Sequence, residues 1–247
     1  MSLLLRGELL KLRTTRTFVA LVGAALALSL LVVVLSTLLS DSFTADDAAT
    51  LFTADFTGLF IMLLGVIGMA GEWRHRTITG TILAAPDRLR LMAAKMLAYA
   101  AAGVLLSLIV TLTIMLVGSI ILSARGFDTV ASADLLDILW RNLLVAALLG
   151  ALGVGVGALI RNQIVAIIGV LIFGFVVEPA VFSLAPDVGR YGPTAGAPSG
   201  IIDVNPFGES DEEDVLLSPA LAVLVMLGWI ALFFAAAGVR LRSRDLV

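Results

Sequence analysis

The fold class this sequence predicts is an all-α polytopic membrane protein with six transmembrane helices, and three observations predict it. Hydrophobic residues make up 60% of the 247 and charged residues only 14%, whereas a soluble domain carries about a quarter charged residues. Six stretches are long and apolar enough to cross a hydrocarbon core, which takes roughly 20 residues. The segments between them alternate in sign of charge, as the positive-inside rule requires of a chain that crosses repeatedly.

In chain order, residues 1–17 form an arm ahead of the first span, 18–39. That span is too long for a signal-peptide core of about 7 to 15 residues and reads as retained. The second, 51–71, contains Asp55, and the third, 96–122, is long enough to tilt or to begin in the interface. The fourth, 142–160, contains "GALGVGVGALI", with Gly153 and Gly157 four residues apart. Small residues at that spacing let helices approach closely, and a glycine run inside an apolar span is not a dinucleotide-binding loop. The fifth, 164–182, carries Glu178 and Pro179 near its end, and the sixth is 218–239. Loops 72–95 and 183–217 complete a single transmembrane domain. The last loop is rich in Gly and Pro, then acidic ("ESDEED"), and reads either as disordered or as short helices dipping back into the outer leaflet.

The charges orient the spans. The arm has Arg6, Lys11, Arg13 and Arg16 against Glu8, a net +3. Loop 72–95 has Arg74, Arg76, Arg88, Arg90 and Lys95 against Glu72 and Asp87, also +3. Arg161 lies in the turn after span four, and the tail has Arg240, Arg242 and Arg244 against Asp245, a net +2. The intervening loops are acidic: −3 from Asp41, Asp46 and Asp47; −1 from Arg125 and Arg141 against Asp128, Asp134 and Asp137; and −6 for the last. Both termini are therefore expected in the cytoplasm.

Two segments on the basic side have a pattern beyond their charge. In "LLLRGELLKLRTTRT", Leu5, Leu9 and Leu12 fall on one helical face, with Arg6, Lys11 and Arg13 mostly elsewhere. Such a basic amphipathic helix prefers a membrane surface, its leucines among acyl chains. A plain orientation signal for the first span is the simpler reading. In "GEWRHRTITGTILAAP", residues 71–86, Ile78, Ile82 and Ala85 share a face, and Pro86 stops the helix, because a residue before proline avoids helical geometry. Asp87 then stands where it caps the helix of span three. A short helix with one apolar face and a basic rim (Arg74, Arg76, Arg88, Arg90) suits a groove on a cytoplasmic partner. A basic loop that merely orients the chain explains the charge but not the Ile spacing or the Pro-Asp break.

These residues resemble the type-2 ABC-transporter permeases. The likeness lies in Glu72, Arg76, Thr77, Ile78, Leu83, Pro86 and Lys95, in the "RSRDL" ending, and in the layout of arm, six spans and long outer loop. Ala85 stands where Thr or Ser is common in that family. The resemblance implies a non-catalytic subunit of a bacterial plasma-membrane exporter, paired with a second permease protomer, identical or related. Each protomer would rest its elbow helix (Leu5, Arg6, Leu9, Lys11, Arg13) and its coupling helix (Glu72, Arg74, Arg76, Thr77, Ile78, Ile82, Leu83, Pro86, Arg88) on an ATP-binding subunit. ATP and Mg would sit on that partner; the chain has no G-x-x-x-x-G-K-[ST] loop of its own.

The remaining chemistry is sparse. There are no cysteines and one histidine, His75, which removes disulfides, thiolate or multi-histidine metal sites and a thiol nucleophile. Asp55 and Glu178 have no nucleophile or ligand set beside them and read as interfacial carboxylates, or else as part of an exit route or a polar contact. Phe56, Phe60, Met62, Phe173 and Phe175 line a cargo path or simply pack the bundle. No nucleic-acid partner is expected, and membrane lipid is. A nucleotide-independent transporter or channel is the rival reading, but it normally places charges near the midplane of its spans, and here the central thirds are almost free of them.

Overall fold

A computed structural model describes residues 2–74, 87–160, 162–205 and 215–242. Every regular element among them is helical. Helix α1 (Ser2–Thr14) is followed by α2 (Arg16–Leu39), the first crossing. Helices α3 (Ala45–Phe52) and α4 (Thr57–Arg74) form the second, α5 (Arg88–Arg125) the third and α6 (Ser132–Leu159) the fourth. The fifth is composite: α7 (Gln163–Ile172), a π-helical turn at Phe173–Val177, and α8 (Glu178–Leu184). Short helices α9 (Pro186–Gly189) and α10 (Gly196–Ile202) precede α11 (Pro219–Arg242), the sixth. Six helical stretches have the length and hydropathy to cross a membrane.

Local chemistry sets where these crossings begin and end. The second starts at Ala45 because Thr44 and Asp47 form a reciprocal capping box there. It breaks after Phe52, and the Asp55 carboxylate accepts the Thr57 N–H at 2.8 Å to restart it as α4. Asp87 caps α5 by accepting the Arg90 N–H at 3.1 Å, as the Pro-Asp break predicts. At 38 residues α5 is about 57 Å long, well beyond a hydrocarbon core of about 30 Å. It ends at Gly126, whose φ of 73° is left-handed.

Helix α6 is the axis of the bundle. In its most apolar window 78% is buried, against 17% for the first, fifth and sixth crossings. Its glycines explain this. A Cβ on Gly157 would stand 2.7 Å from the Val66 carbonyl oxygen, and one on Gly153 would collide with that of Met62. Across the seam, a Cβ on Gly65 of α4 would lie 2.8 Å from the Val154 nitrogen. The Gly153/Gly157 spacing thus serves helix packing, by close backbone approach. The chain after Leu184 is not featureless: α9 and α10 fold back, and Ile201 is fully buried with Leu217 and Met226. The acidic run from Glu209 to Asp214 lies outside the described residues.

Candidate functional site

The expected coupling segment falls mostly outside the described residues: this holds for His75, Arg76, Thr77, Ile78, Ile82, Leu83 and Pro86. Arg74 closes α4 and Arg88 opens α5, so the two ends of the segment are fixed by long helices. What the structure builds beside those ends is a cluster of four charges. Lys95 of α5 is 1% exposed. Its ammonium lies 2.5 Å from Glu8 Oε2 on α1 and 2.8 Å from Glu72 Oε1 on α4. Lys11 of α1 reaches Glu8 Oε1 at 2.8 Å and Glu72 Oε1 at 3.3 Å.

This cluster adds to the reading of the arm. Leu12 is buried in, and Leu5 and Leu9 pack partly against, a core cluster that includes Met92, Met96 and Tyr99. Glu8 lies on the same face, and a carboxylate turned toward hydrocarbon would be costly, whereas turned inward it meets Lys95. Arg6 and Leu10 are exposed on the remainder of α1. Burial pushes the Glu8 carboxyl up, but the Lys95 charge and hydrogen bonds from Lys11 and Lys95 outweigh it and hold the group below its ordinary value. Burial likewise pulls Lys11 down, yet its hydrogen bond and attraction to Glu8, with the pull of Glu72, leave it raised.

Beside the cluster a cavity of about 620 Å³ opens between α1, the start of α2, α4, α5 and the first residue of α7. Its polar lining includes Glu8, Lys11, Glu72, Lys95, Tyr99 and Gln163 with the threonines Thr15 and Thr17, and its apolar lining Leu12, Leu64 and Ile67. Sequence reasoning counted Glu8 and Lys95 only as loop charge and a motif match, and passed over Tyr99 and Gln163. The available signal was Glu8 itself, an acidic residue within an otherwise leucine-lined helical face.

The residues considered for a cargo path are not assembled into one site. Asp55 is half-buried and accepts hydrogen bonds from Ser107, from Thr111 at 3.0 Å and from the Thr57 N–H. Asn142 extends that network, donating to Thr111 Oγ1 at 3.2 Å and to the Phe52 carbonyl at 3.1 Å. Glu178, 2% exposed, is a separate anchor. It accepts the N–H groups of Thr194 (3.0 Å), Ala195 (2.8 Å) and Gly196 (2.7 Å) and the Thr194 hydroxyl, so it pins the chain entering α10. Each is held by donors of the protein itself, as a carboxylate withdrawn from water requires. Phe56 and Phe60 are half-buried on α4, while Phe173 and Phe175 point away from the protomer's own core.

Six membrane-length helices packed about a glycine-rich fourth, with a preceding helix ion-paired to the second and third, define an all-helical polytopic membrane protein. The model of the family described as ABC-2 family transporter protein matches residues 4–177. The chain belongs to that family, and it is a permease of the ABC type. A search of curated proteins returned no match.

Proposed function

We propose that this chain is the membrane subunit of an ATP-driven exporter, with both termini in the cytoplasm and the ATP and magnesium on a separate ATP-binding subunit. The observation that carries the reading is the four-charge cluster. Glu72 and Lys95 stand at the two ends of loop 72–95, and Glu8 and Lys11 tie α1 to both. A push on the Thr77–Ala85 segment by an ATPase would move α4, α5 and α1 as one body. Differential contact with the ATPase in its two nucleotide states is what such coupling requires. Glu72, Arg74, Arg76, Thr77, Ile78, Ile82, Leu83, Pro86 and Arg88 are the residues we assign to that contact.

A second protomer, identical or related, would complete the translocation path. The fifth crossing supports this, since Phe175, Val176 and Leu184 leave an apolar face uncovered by the protomer itself. The apolar interior favours hydrophobic or amphipathic cargo. Replacing Ile78 and Ile82 by Asp tests the reading. Loss of copurification with the ATPase and of ATP-driven vesicle transport is expected, with the permease still folded. Undiminished assembly and transport would reject it, and transport by the permease alone would favour the nucleotide-independent reading.

A further inference from the structure

The cavity at the ends of the spans has an incomplete set of hydrogen-bond donors. Two carboxylates, Glu8 and Glu72, are nearly enclosed, with side chains 6% and 10% exposed, and one ammonium, Lys95, is enclosed with them at 2%. The fourth charge, Lys11, is 54% exposed and meets Glu72 only at 3.3 Å. Both of its neighbours draw on the same Glu72 oxygen, Oε1. The other, Oε2, is buried without a hydrogen-bond partner among the described residues. A buried ionised acceptor left without a donor is among the costliest polar defects a protein can carry. Among the described residues, the enclosed part of the site is one N–H donor short.

The cavity says what kind of donor fits. Its volume of about 620 Å³ is far more than one water, whose share of the liquid is about 30 Å³. Leu12, Leu64 and Ile67 supply apolar lining to the same cavity that Glu72 lines. The terminal torsion of a carboxylate is broad, so its second oxygen can turn to a donor held there. We propose that this cavity binds the primary ammonium head of an amphiphile, its N–H groups donating to Glu72 and its first methylenes lying against Leu12, Leu64 and Ile67. A quaternary ammonium has the charge but no N–H, and does not satisfy the site. The amine belongs either to an ethanolamine-headed lipid, whose phosphate then meets the half-exposed Lys11, or to a free alkylamine. The site stands apart from the exporter reading, because it needs no ATPase and no transport.

The test is native mass spectrometry of the full-length protein in detergent, titrated with dioleoyl phosphatidylethanolamine or dioleoyl phosphatidylcholine. The ethanolamine lipid should be held about tenfold more tightly, the scale of one hydrogen bond to a charged group. Dodecylammonium and dodecyltrimethylammonium then serve as competitors. Displacement by the primary amine alone supports a site for free alkylamines as well as lipid. Displacement by neither supports a site that also reads the lipid phosphate. Glu72→Gln should abolish the preference between the two lipids. Ile67→Trp, which adds bulk to the cavity and alters none of the four charged side chains, should do the same if the Gln variant does not fold. Equal retention of the two lipids by the wild-type chain, or a preference that survives Ile67→Trp, overturns the proposal.

Discussion

The two ends of the bundle hold their carboxylates by different means. At the basic end Glu8 and Glu72 face full cations, Lys95 and Lys11, supplied by α1 and α5. At the acidic end Asp55 and Glu178 are held, among the described residues, by neutral donors: hydroxyls of Ser107, Thr111 and Thr194 and the N–H groups of Thr57, Thr194, Ala195 and Gly196. A ring of backbone N–H groups exists only while the chain keeps one local path, so each neutral cradle fixes a loop. An ion-pair cluster makes no such demand on the local path, since its partners are flexible side chains and Lys11 is half-exposed. The acidic end is therefore fastened by backbone geometry, and the basic end by charge.

Removing the cation that anchors the basic end has the largest expected effect. Lys95→Met leaves two nearly enclosed carboxylates with only a half-exposed lysine, and breaking such a buried pair costs about 3–5 kcal/mol. Thermal unfolding in detergent should show a large loss. Adding Glu72→Gln to Lys95→Met should recover part of it, because one of the stranded charges is gone. A double variant no more stable than the single one would mean that the cluster contributes by packing rather than by charge, and the contrast between the two ends would fail.

Glu178→Gln should act more locally. It keeps the size of the side chain but removes the charge from a ring of four donors and points an amide NH₂ at some of them. Hydrogen bonds to a charged group are worth about 1.5–3 kcal/mol, so the entry to α10 should loosen by about that much. Hydrogen exchange at Thr194, Ala195 and Gly196 should rise, while amides of α4 and α6 stay protected. Uniform deprotection of the bundle would show that the cradle at Glu178 is part of the global core and not a local fastening.

Legibility in the sequence follows the range of the forces involved. The six crossings were readable because hydropathy over a window of about 20 residues needs no knowledge of neighbours. The Gly153/Gly157 surface and the Asp87 cap were readable for the same reason, each being a matter of a few adjacent residues. The basic cluster was not, because Glu8 and Lys95 are 87 positions apart and each looked like loop charge. The Glu178 cradle was hidden differently: its donors are backbone N–H groups of Thr194 to Gly196, and no side-chain pattern announces a backbone donor. That Asp55 and Glu178 are interfacial carboxylates or polar contacts was readable, but which donors hold them was not, since those donors lie on other elements or on the backbone.

The smallest expected effect is the pH response of the basic end, and it sharpens the comparison most directly. Glu8 is held below its ordinary 4.5 and Lys11 above its ordinary 10.5. A carboxylate depressed in the folded state contributes stability that is present above 4.5 and is lost as pH falls through its folded value. A lysine raised in the folded state contributes stability that is present below 10.5 and is lost as pH rises through its folded value. Docking of α1 should therefore be flat from about 4.5 to about 10.5 and weaken on either side. The chain has no cysteine, so a spin label on Leu10→Cys, at an exposed position of α1, reports the mobility of that helix alone. Mobility should stay constant across the window and rise at both edges, and Lys11→Met should remove the alkaline edge while leaving an acid one. An acid edge that vanishes with the alkaline one would show that Lys11, and not Lys95, holds Glu8 in place.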